Sequence, residues 1–331
     1  MAEEHKAPYF QHLPEIIALG PPVGFKRYGK EFSSKFRILR PWESTLPLSE
    51  FLLAHAQNTK AALCSAMFSL SAAILDCLPS LRFVVTTSAG LNHIDLAECR
   101  RRHISVANAC TIFSAEVADL AVGLLLDVMR KISAGNRFVK NGLWPKSGDY
   151  PLGFTLGGKK IGIVGLGSIG IEVARRLEAF GCIISYNSRE KKSFVPYPFY
   201  ADIRELAAIS DVLVLCCALT KQTRHLINRE VLLALGKEGL IVNIARGAII
   251  DEKELVQCLQ QGLIAGAGLD VFEIEPHVPQ VLLTLENVVL SPHCAAFTEE
   301  SFGDLYELMS DNLEAFFSNK PLLSPVLDYQ S

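Results

Sequence analysis

The amino-acid sequence predicts an α/β protein built from two doubly wound, parallel-sheet domains. From about Phe36 onward, short apolar and β-branched runs alternate with helical patterns, which is typical of parallel strands joined by crossover helices. The chain has 331 residues. Because a single hydrophobic core stops growing near about 250–300 residues, two domains are expected.

The first unit contains four predicted strands with helical segments between them. The strands are FRIL, AALCSA, RFVVTTSAG and ISVAN, and the helical segments lie around 48–58, 71–78 and 95–102. The first 30 residues are rich in Pro and Gly and have no clear periodicity.

A long helical pattern follows, SAEVADLAVGLLLDVMRKISAGNRFVKNG, and predicts one continuous helix that begins at Ser114. Its apolar residues cover most of the helix circumference, so we expect it to be buried on more than one side. A loop containing Trp144 and Pro145 is predicted after it.

The second unit begins at Lys160 and repeats the alternation. Its predicted strands are KIGIVG, CIISYN, DVLVLCC, GLIVNIA, AGAGLDVF and NVVLSPH, and its predicted helices are 168–180, 203–209, 228–235 and 251–262. One more helix, TEESFGDLYELMSDNLEAFFSN, is predicted after Pro292.

A glycine-rich turn joins the first strand of this unit to its first helix. The motif G-x-G-x-x-G consists of Gly165, Leu166, Gly167, Ser168, Ile169 and Gly170. Glycines permit the tight turn and let the backbone approach a pyrophosphate at the helix N-terminus. An ordinary glycine turn is the alternative, but the strand–turn–helix setting favours a Rossmann dinucleotide-binding domain.

The second strand of that domain ends without the acid that usually binds the ribose hydroxyls of NAD. Ser188, Arg189 and Lys191 stand there instead. A carboxylate would repel a 2′-phosphate, whereas these side chains can donate hydrogen bonds to it or supply positive charge. A solvated basic loop is the alternative. The sequence therefore predicts NADP(H) as cofactor.

Three complementary side chains follow three later strands: Arg246 after LIVNIA, Glu275 after AGLDVF and His293 after NVVLSP. Ligands bind outside the carboxyl ends of the strands in open α/β sheets, so these residues are expected to converge where the nicotinamide lies. A His paired with a Glu suits a general acid, and an Arg binds a carboxylate. Each residue alone could equally be a structural or surface group.

Charge and composition exclude several functional classes. The net charge of −3 gives no electrostatic footprint for nucleic acid or an anionic membrane, and the apolar runs are too short to cross a bilayer. The nine cysteines include no C-x-x-C pair and no spaced His/Cys set, so neither a metal site nor disulfides are expected. The termini lack a secretory or peroxisomal signal. These features predict a cytoplasmic protein.

Several motifs occur in order between about Phe36 and Val326, namely TSAGLNHID, VADLAVGLLL, VGLGSIG, NIARGAIIDE, AGAGLDVFEIEP and SPHCA. In these motifs the sequence resembles the D-isomer-specific 2-hydroxyacid dehydrogenases. Within that family, SYNSR and LINREVLLALG are most similar to plant NADPH-dependent glyoxylate/hydroxypyruvate reductases and hydroxyphenylpyruvate reductases.

The resemblance implies an activity. NADPH reduces the C2 carbonyl of a small 2-oxo acid to the D-2-hydroxy acid, with glyoxylate, hydroxypyruvate and 4-hydroxyphenylpyruvate as leading substrates. Arg246, Glu275 and His293 match the catalytic triad of the family: His293 supplies the proton, Glu275 orients it, and Arg246 binds the substrate together with His293.

The resemblance also implies further contacts and a domain arrangement. Backbone N–H groups of Ala89 and Gly90 would bind the substrate carboxylate. Cys217, the segment Ile244, Ala245 and Arg246, and Asp270 would line the cofactor, with Asp270 on the nicotinamide amide. The implied substrate-binding domain is discontinuous, 1–113 plus 298–331, and the NADP-binding Rossmann domain, 114–297, is inserted into it. Family members dimerise through the region of the long helix, so a homodimer is expected.

Two other functions remain open from the sequence. An NAD-dependent 3-phosphoglycerate dehydrogenase-like enzyme is disfavoured because the NAD-selecting acid is missing and no regulatory domain follows Val326. A non-catalytic, dinucleotide-sensing corepressor-like protein is disfavoured by the intact Arg–Glu–His set.

Overall fold

The computed structural model describes residues 13–65 and 67–326, apart from the side chain of Lys26. The described chain divides into two compact units. One unit contains the residues up to Ile112 and those from Glu299 onward, and the other contains Phe113–Thr298. Both termini used above to predict a cytoplasmic location lie outside the described residues.

The first unit is built on a parallel five-stranded sheet. Its strands are β1 (Glu15–Leu19), β2 (Arg37–Leu39), β3 (Ala61–Cys64), β4 (Phe83–Thr86) and β5 (Ser105–Ala107), in the order β2-β1-β3-β4-β5. Its helices are α1 (Phe25–Lys35), α2 (Leu48–His55), α3 (Ala72–Asp76), α4 (Leu96–Arg101) and the C-terminal helix α12 (Glu299–Phe317).

One strand and the start of a helix lie within the first 30 residues, where the sequence has no clear periodicity. Strand β1 lies between β2 and β3, and its last four residues are buried. Helix α1 begins without a side-chain cap, so its start carries no sequence signal. Its aromatic residues pack on α12 instead: Tyr28 stacks on Tyr306 with centroids 4.8 Å apart, and Phe32 contacts the same ring. Tertiary packing therefore stabilises an element that local propensity does not predict.

The second unit is built on a parallel six-stranded sheet. Its strands are β6 (Lys160–Val164), β7 (Ile183–Asn187), β8 (Val212–Leu215), β9 (Leu240–Asn243), β10 (Gly266–Leu269) and β11 (Val288–Leu290), in the order β11-β10-β9-β8-β6-β7. Its helices are α5 (Ser114–Arg130), α6 (Ile132–Lys140), α7 (Trp144–Ser147), α8 (Ser168–Ala179), α9 (Ile203–Ala208), α10 (Arg229–Leu235) and α11 (Glu252–Gln260). The predicted class, two doubly wound parallel-sheet α/β units, is confirmed.

Among the described residues, the sheet continues beyond β7 as a single parallel bridge between Tyr186 and Phe199. The segment around Phe199 occupies the place of the third strand of a Rossmann sheet, whose usual order is 3-2-1-4-5-6. The chain between Asn187 and Phe199 therefore leaves the sheet and returns to it beside the same strand.

The long helix predicted from Ser114 is in fact two helices. Lys131 has a φ of 55°, in the left-handed region, and ends α5. The carboxylate of Asp127 then accepts hydrogen bonds from the N–H and hydroxyl of Ser133 at 2.7 and 2.5 Å, which satisfies the start of α6. The predicted loop at Trp144 and Pro145 begins with the short helix α7.

Each sheet has its own apolar core. In the second unit the core contains Leu213, Ile241 and Leu269 from β8, β9 and β10, all nearly or fully buried. Among the described residues, no helix combines the length and apolar character that crossing a bilayer requires.

Candidate active site

All of the second unit's predicted site residues follow the carboxyl ends of its parallel strands. Gly165 follows β6, Ser188 follows β7 and Cys217 follows β8, while Arg246, Glu275 and His293 follow β9, β10 and β11. Because the six strands are parallel, these loops emerge at the same end of the sheet, where the carboxyl ends of the strands lie.

The glycine turn has room for a ligand at one position only. A β-carbon on Gly165 would lie 2.6 Å from the backbone of Cys217, and one on Gly170 would overlap the carbonyl of Gly165. Protein packing therefore explains these two glycines. A β-carbon on Gly167 would meet nothing within 4 Å. Gly167 is the N-cap of α8, so this open space lies where a helix N-terminus binds phosphate.

The other residues of the motif divide by exposure. Leu166 is 1% exposed, so its side chain belongs to the core. Ser168 is exposed at the first position of α8, and Ile169 is partly exposed. The N–H of Gly165 donates to the carbonyl of Asn187 at 2.8 Å and so joins this turn to the end of β7.

The loop after β7 presents the predicted cations to solvent. Arg189 and Lys191 are exposed, and within the described part of the chain neither side chain has a hydrogen bond or an ion pair. The sequence predicts that the hydroxyl of Ser188 donates to a 2′-phosphate. In the structure it donates instead to the carbonyl of Glu190 at 2.5 Å. It must rotate away from this bond before it can donate to a ligand.

His293 and Glu275 are in direct contact. His293 Nδ1 lies 2.6 Å from Glu275 Oε2, and the N–H of Phe272 donates to Glu275 Oε1 at 3.0 Å. An ionised carboxylate only accepts, so Nδ1 carries the hydrogen and Nε2 is left for a substrate. His293 has a φ of 51°. A strained backbone of this kind is concentrated at functional sites.

Opposing effects act on the two charged partners of this pair. Burial alone raises the pKa of Glu275, but the hydrogen bonds from His293 and from the backbone of Phe272, with the charge of Arg246, bring its pKa below the ordinary value. Burial lowers the pKa of Arg246, and the charge of Glu275 opposes that effect. Arg246 remains a cation because a guanidinium pKa lies far above neutrality.

The backbone before and after Arg246 is tightly held. Asn243, at the end of β9, accepts from the N–H of Ala245 at 3.0 Å and donates to the carbonyl of Arg246 at 3.0 Å. The next residue, Gly247, is pressed against the loop that leads to Glu275. A β-carbon there would overlap the backbone of Phe272 and Glu273. Only glycine permits this close approach.

Asp270 anchors the turn that carries His293. It is fully buried, its carbonyl accepts from the N–H of His293 at 2.7 Å, and its carboxylate accepts from the hydroxyl of Ser291 at 2.6 Å and from the N–H groups of Cys294 and Ala295 at 2.9 and 3.0 Å. The resemblance assigned Asp270 to the nicotinamide amide, and that contact stays a prediction. Its role as an anchor was not predicted.

A second His–carboxylate pair lies two residues before Glu275. His225 Nε2 is 2.8 Å from Glu273 Oε1, to which Arg224 also donates at 2.8 Å. The sequence alone assigns His225 no role. The signal that could have found it is its place in the loop after β8, which opens at the same edge as the other site residues.

The remaining predicted cofactor residues follow β8 and β9. Cys217 is half-buried, and burial raises its pKa to about 11, so the thiol is neutral at physiological pH. Ile244 and Ala245 are buried after β9. Among the described residues, no cluster of His, Cys, Asp or Glu could hold a metal ion.

The predicted carboxylate-binding loop belongs to the first unit, after β4. Ala89 and Gly90 are half-exposed there, and the side chain of Asn108 donates to the carbonyl of Ala89 at 2.8 Å. The N–H of Gly90 donates to the hydroxyl of Ser88 at 3.1 Å. To bind a carboxylate, this N–H must exchange the Ser88 hydroxyl for the ligand.

Comparison with known proteins identifies the chain's relatives. The D-isomer specific 2-hydroxyacid dehydrogenase, NAD binding domain, matches residues 122–295. A glyoxylate/hydroxypyruvate reductase of Arabidopsis thaliana is 50% identical over 95% of this chain and 97% of its own. A hydroxyphenylpyruvate reductase of Plectranthus scutellarioides is 45% identical over 90% and 95%, respectively.

A solved structure agrees with the sequence relatives. The NADPH-dependent glyoxylate/hydroxypyruvate reductase of Sinorhizobium meliloti, in complex with NADP and malonate, superposes with a TM-score of 0.89 at 34% identity, over 96% of this chain and 97% of that one. Together with the glycine turn and the paired His293 and Glu275, these matches establish that the chain belongs to the D-isomer specific 2-hydroxyacid dehydrogenase family.

Proposed function

We propose that this protein is an NADPH-dependent reductase that converts small 2-oxo acids, with glyoxylate and hydroxypyruvate first and 4-hydroxyphenylpyruvate next, to D-2-hydroxy acids. The bound cofactor supplies a hydride to the C2 carbonyl carbon. The observation that carries the proposal is the 2.6 Å contact between His293 Nδ1 and Glu275 Oε2. This pair follows the carboxyl ends of β10 and β11, in the same parallel sheet whose first strand leads into the glycine turn with open space at Gly167.

The protein's own groups divide the remaining work. Nε2 of His293 gives its proton to the carbonyl oxygen, which becomes the hydroxyl of the product. The carboxylate of Glu275 holds the imidazole in that tautomer and balances its charge. The guanidinium of Arg246 binds the substrate carboxylate and polarises the carbonyl beside it. Carboxylate binding by Ala89 and Gly90 is part of the same proposal, which makes the first unit the substrate-binding domain.

NADP(H) is proposed as the cofactor for two reasons. The end of β7 lacks an acid and carries the exposed cations Arg189 and Lys191. The Sinorhizobium meliloti relative is NADPH-dependent and was solved with NADP. The residues that would hold the cofactor are those of the glycine turn, with Ser188, Arg189 and Lys191 at the 2′-phosphate and Cys217, Ile244, Ala245, Arg246 and Asp270 toward the nicotinamide.

The direct test is a panel of 2-oxo acids assayed with NADPH and NADH in parallel. We expect glyoxylate, hydroxypyruvate and 4-hydroxyphenylpyruvate to be reduced with NADPH, and the product to be the D-isomer where it is chiral. No oxidation of NADPH with any 2-oxo acid, although the cofactor binds, would leave a dinucleotide-sensing protein as the better proposal.

Arg189→Asp should abolish the preference for NADPH. It removes a charge-assisted hydrogen bond, which contributes about 1.5–3 kcal/mol or roughly 10–100-fold, and it adds repulsion. The measurement is the ratio of kcat/KM with NADPH to that with NADH. Lys237→Asp is the matched control, because this exposed lysine precedes β9 and so lies at the amino ends of the strands, away from the candidate site. An unchanged ratio in Arg189→Asp would remove Arg189 from the phosphate site.

Glu275→Gln should lower kcat for reduction by roughly 10–100-fold. The amide keeps the shape of the side chain but removes the negative charge that orients and balances the imidazole of His293, and a charge-assisted hydrogen bond contributes about 1.5–3 kcal/mol. The lowered pKa of Glu275 means that the wild-type carboxylate stays ionised well into the acidic range. Glu238→Gln, an exposed residue at the amino ends of the strands, is the control. An unchanged kcat would mean that Glu275 does not act on the reaction through His293.

A cytoplasmic homodimer is also part of the proposal. The odd number and scattered positions of the nine cysteines favour a reducing compartment. The surface of α6, α7 and the segment after them exposes Ile132, Val139, Trp144 and Leu152, the last to 92%. Clustered exposed apolar side chains mark interaction sites.

Sedimentation at micromolar concentration should give a dimer, and Trp144→Glu should weaken it. A monomeric wild-type protein would contradict this assignment.

A further inference from the structure

A buried tyrosine accepts a backbone hydrogen bond from the loop that carries Arg189 and Lys191. Tyr186, in β7, is fully buried, and its hydroxyl accepts a hydrogen bond from the N–H of Lys192 at 2.7 Å. The hydroxyl is therefore bound to the backbone of the loop itself, immediately after Lys191. A buried polar group on an otherwise apolar ring needs such a partner.

The two ends of the excursion from the sheet are tied independently. The backbone N–H of Tyr186 donates to the carbonyl of Pro198 at 3.0 Å, and the N–H of Tyr200 donates to the carbonyl of Tyr186 at 2.9 Å. The side-chain amide of Asn187 donates to the carbonyls of Tyr200 and Ala201 at 2.8 and 3.0 Å. The Tyr186 hydroxyl is thus a separate tether, in the middle of the excursion.

The contacts of Asn187 explain why the Tyr186 hydroxyl, and not Asn187, is bonded to the middle of the loop. Asn187 occupies the last position of β7, where an NAD enzyme of this fold carries its ribose-binding acid. Here the amide is directed to Tyr200 and Ala201, so it closes the base of the loop. Recognition of the adenosine end is left to the residues after it, whose positions depend on the path of the loop.

We infer that the hydroxyl of Tyr186 is a positioning group for cofactor choice: it holds the 188–192 backbone in the shape that presents Arg189 and Lys191 to a 2′-phosphate. This inference rests on the proposed preference for NADPH. Without the tether, the loop must be ordered when the phosphate binds, and ordering lowers affinity. NAD lacks the 2′-phosphate, so its affinity does not include that cost.

Tyr186→Phe isolates the hydroxyl, because the ring and its contact with Phe199, at 5.4 Å between centroids, are kept. Tyr197→Phe is the matched control. Its hydroxyl lies in the same excursion but donates to Glu178 of α8 at 2.7 Å, away from the 188–192 backbone. Calorimetric titration of each variant with NADP⁺ and with NAD⁺ gives the dissociation constants, and hydrogen–deuterium exchange reports on the Lys192 amide.

In Tyr186→Phe we expect the Kd for NADP⁺ to rise about 2–10-fold, the range for one lost hydrogen bond. The Kd for NAD⁺ should stay constant, and the Lys192 amide should exchange faster. Tyr197→Phe should leave both constants and that amide unchanged. Equal losses for the two cofactors, or no loss for NADP⁺, would overturn the role of Tyr186 alone. A wild-type protein that does not prefer NADP⁺ would overturn the proposed cofactor choice, and this inference with it.

Discussion

We expect His293→Ala to lower kcat for 2-oxo acid reduction by about 10²–10⁴-fold, because general acid catalysis contributes that much. Nδ1 of His293 is committed to Glu275 at 2.6 Å, so Nε2 is the atom that meets the carbonyl oxygen. The variant removes both ring nitrogens but no group from the glycine turn. Its affinity for NADPH, measured by titration, should therefore stay close to that of the wild-type protein.

His55→Ala is the control for a histidine substitution as such. His55 is exposed at the end of α2 in the first unit, where its ring lies 4.9 Å from the ring of Phe51. Its kcat should equal the wild-type value. General acid catalysis is worth at least about 10²-fold. If His293→Ala retained more than about a tenth of the wild-type kcat, His293 would therefore not be the proton donor.

The sequence predicts this edge of the sheet well because parallel strands impose a simple geometric rule. Once β9, β10 and β11 are recognised, Arg246, Glu275 and His293 must emerge on one side. The contact between Glu275 and His293 then follows from neighbouring strands in the sheet order. Side-chain chemistry and strand pattern together are sufficient here.

What the sequence does not predict depends on contacts between distant segments. Asp270 reads as one more residue at a strand end, yet its carboxylate binds two backbone N–H groups more than twenty residues later. Helix α1 likewise depends on Tyr306, from the other end of the chain. The break at Lys131 requires one residue in the left-handed region, which periodicity cannot detect. Each case is a tertiary constraint without a local pattern.

Gly247 shows how closely two loops of the candidate site are fitted. The residue before it is Arg246, and its own α-carbon faces the backbone of Phe272 and Glu273, just before Glu275. The fit is between two backbones, so no side-chain rotation could make room for a methyl group. Any larger residue must move one loop away from the other.

We therefore expect Gly247→Ala to lower kcat/KM by about 10²-fold, the loss that a displacement of about 1 Å can cause in a catalytic site. NADPH binding, measured by titration, should weaken much less than kcat/KM falls, because the displaced loops follow β9 and β10, whereas the glycine turn and the proposed 2′-phosphate site follow β6 and β7. Gly303→Ala in α12 is the matched control, since its β-carbon would meet only the Tyr28 hydroxyl at 3.9 Å. That variant should keep full activity. Full activity in Gly247→Ala would mean that the close approach of the two loops is not needed to align Arg246 with Glu275 and His293.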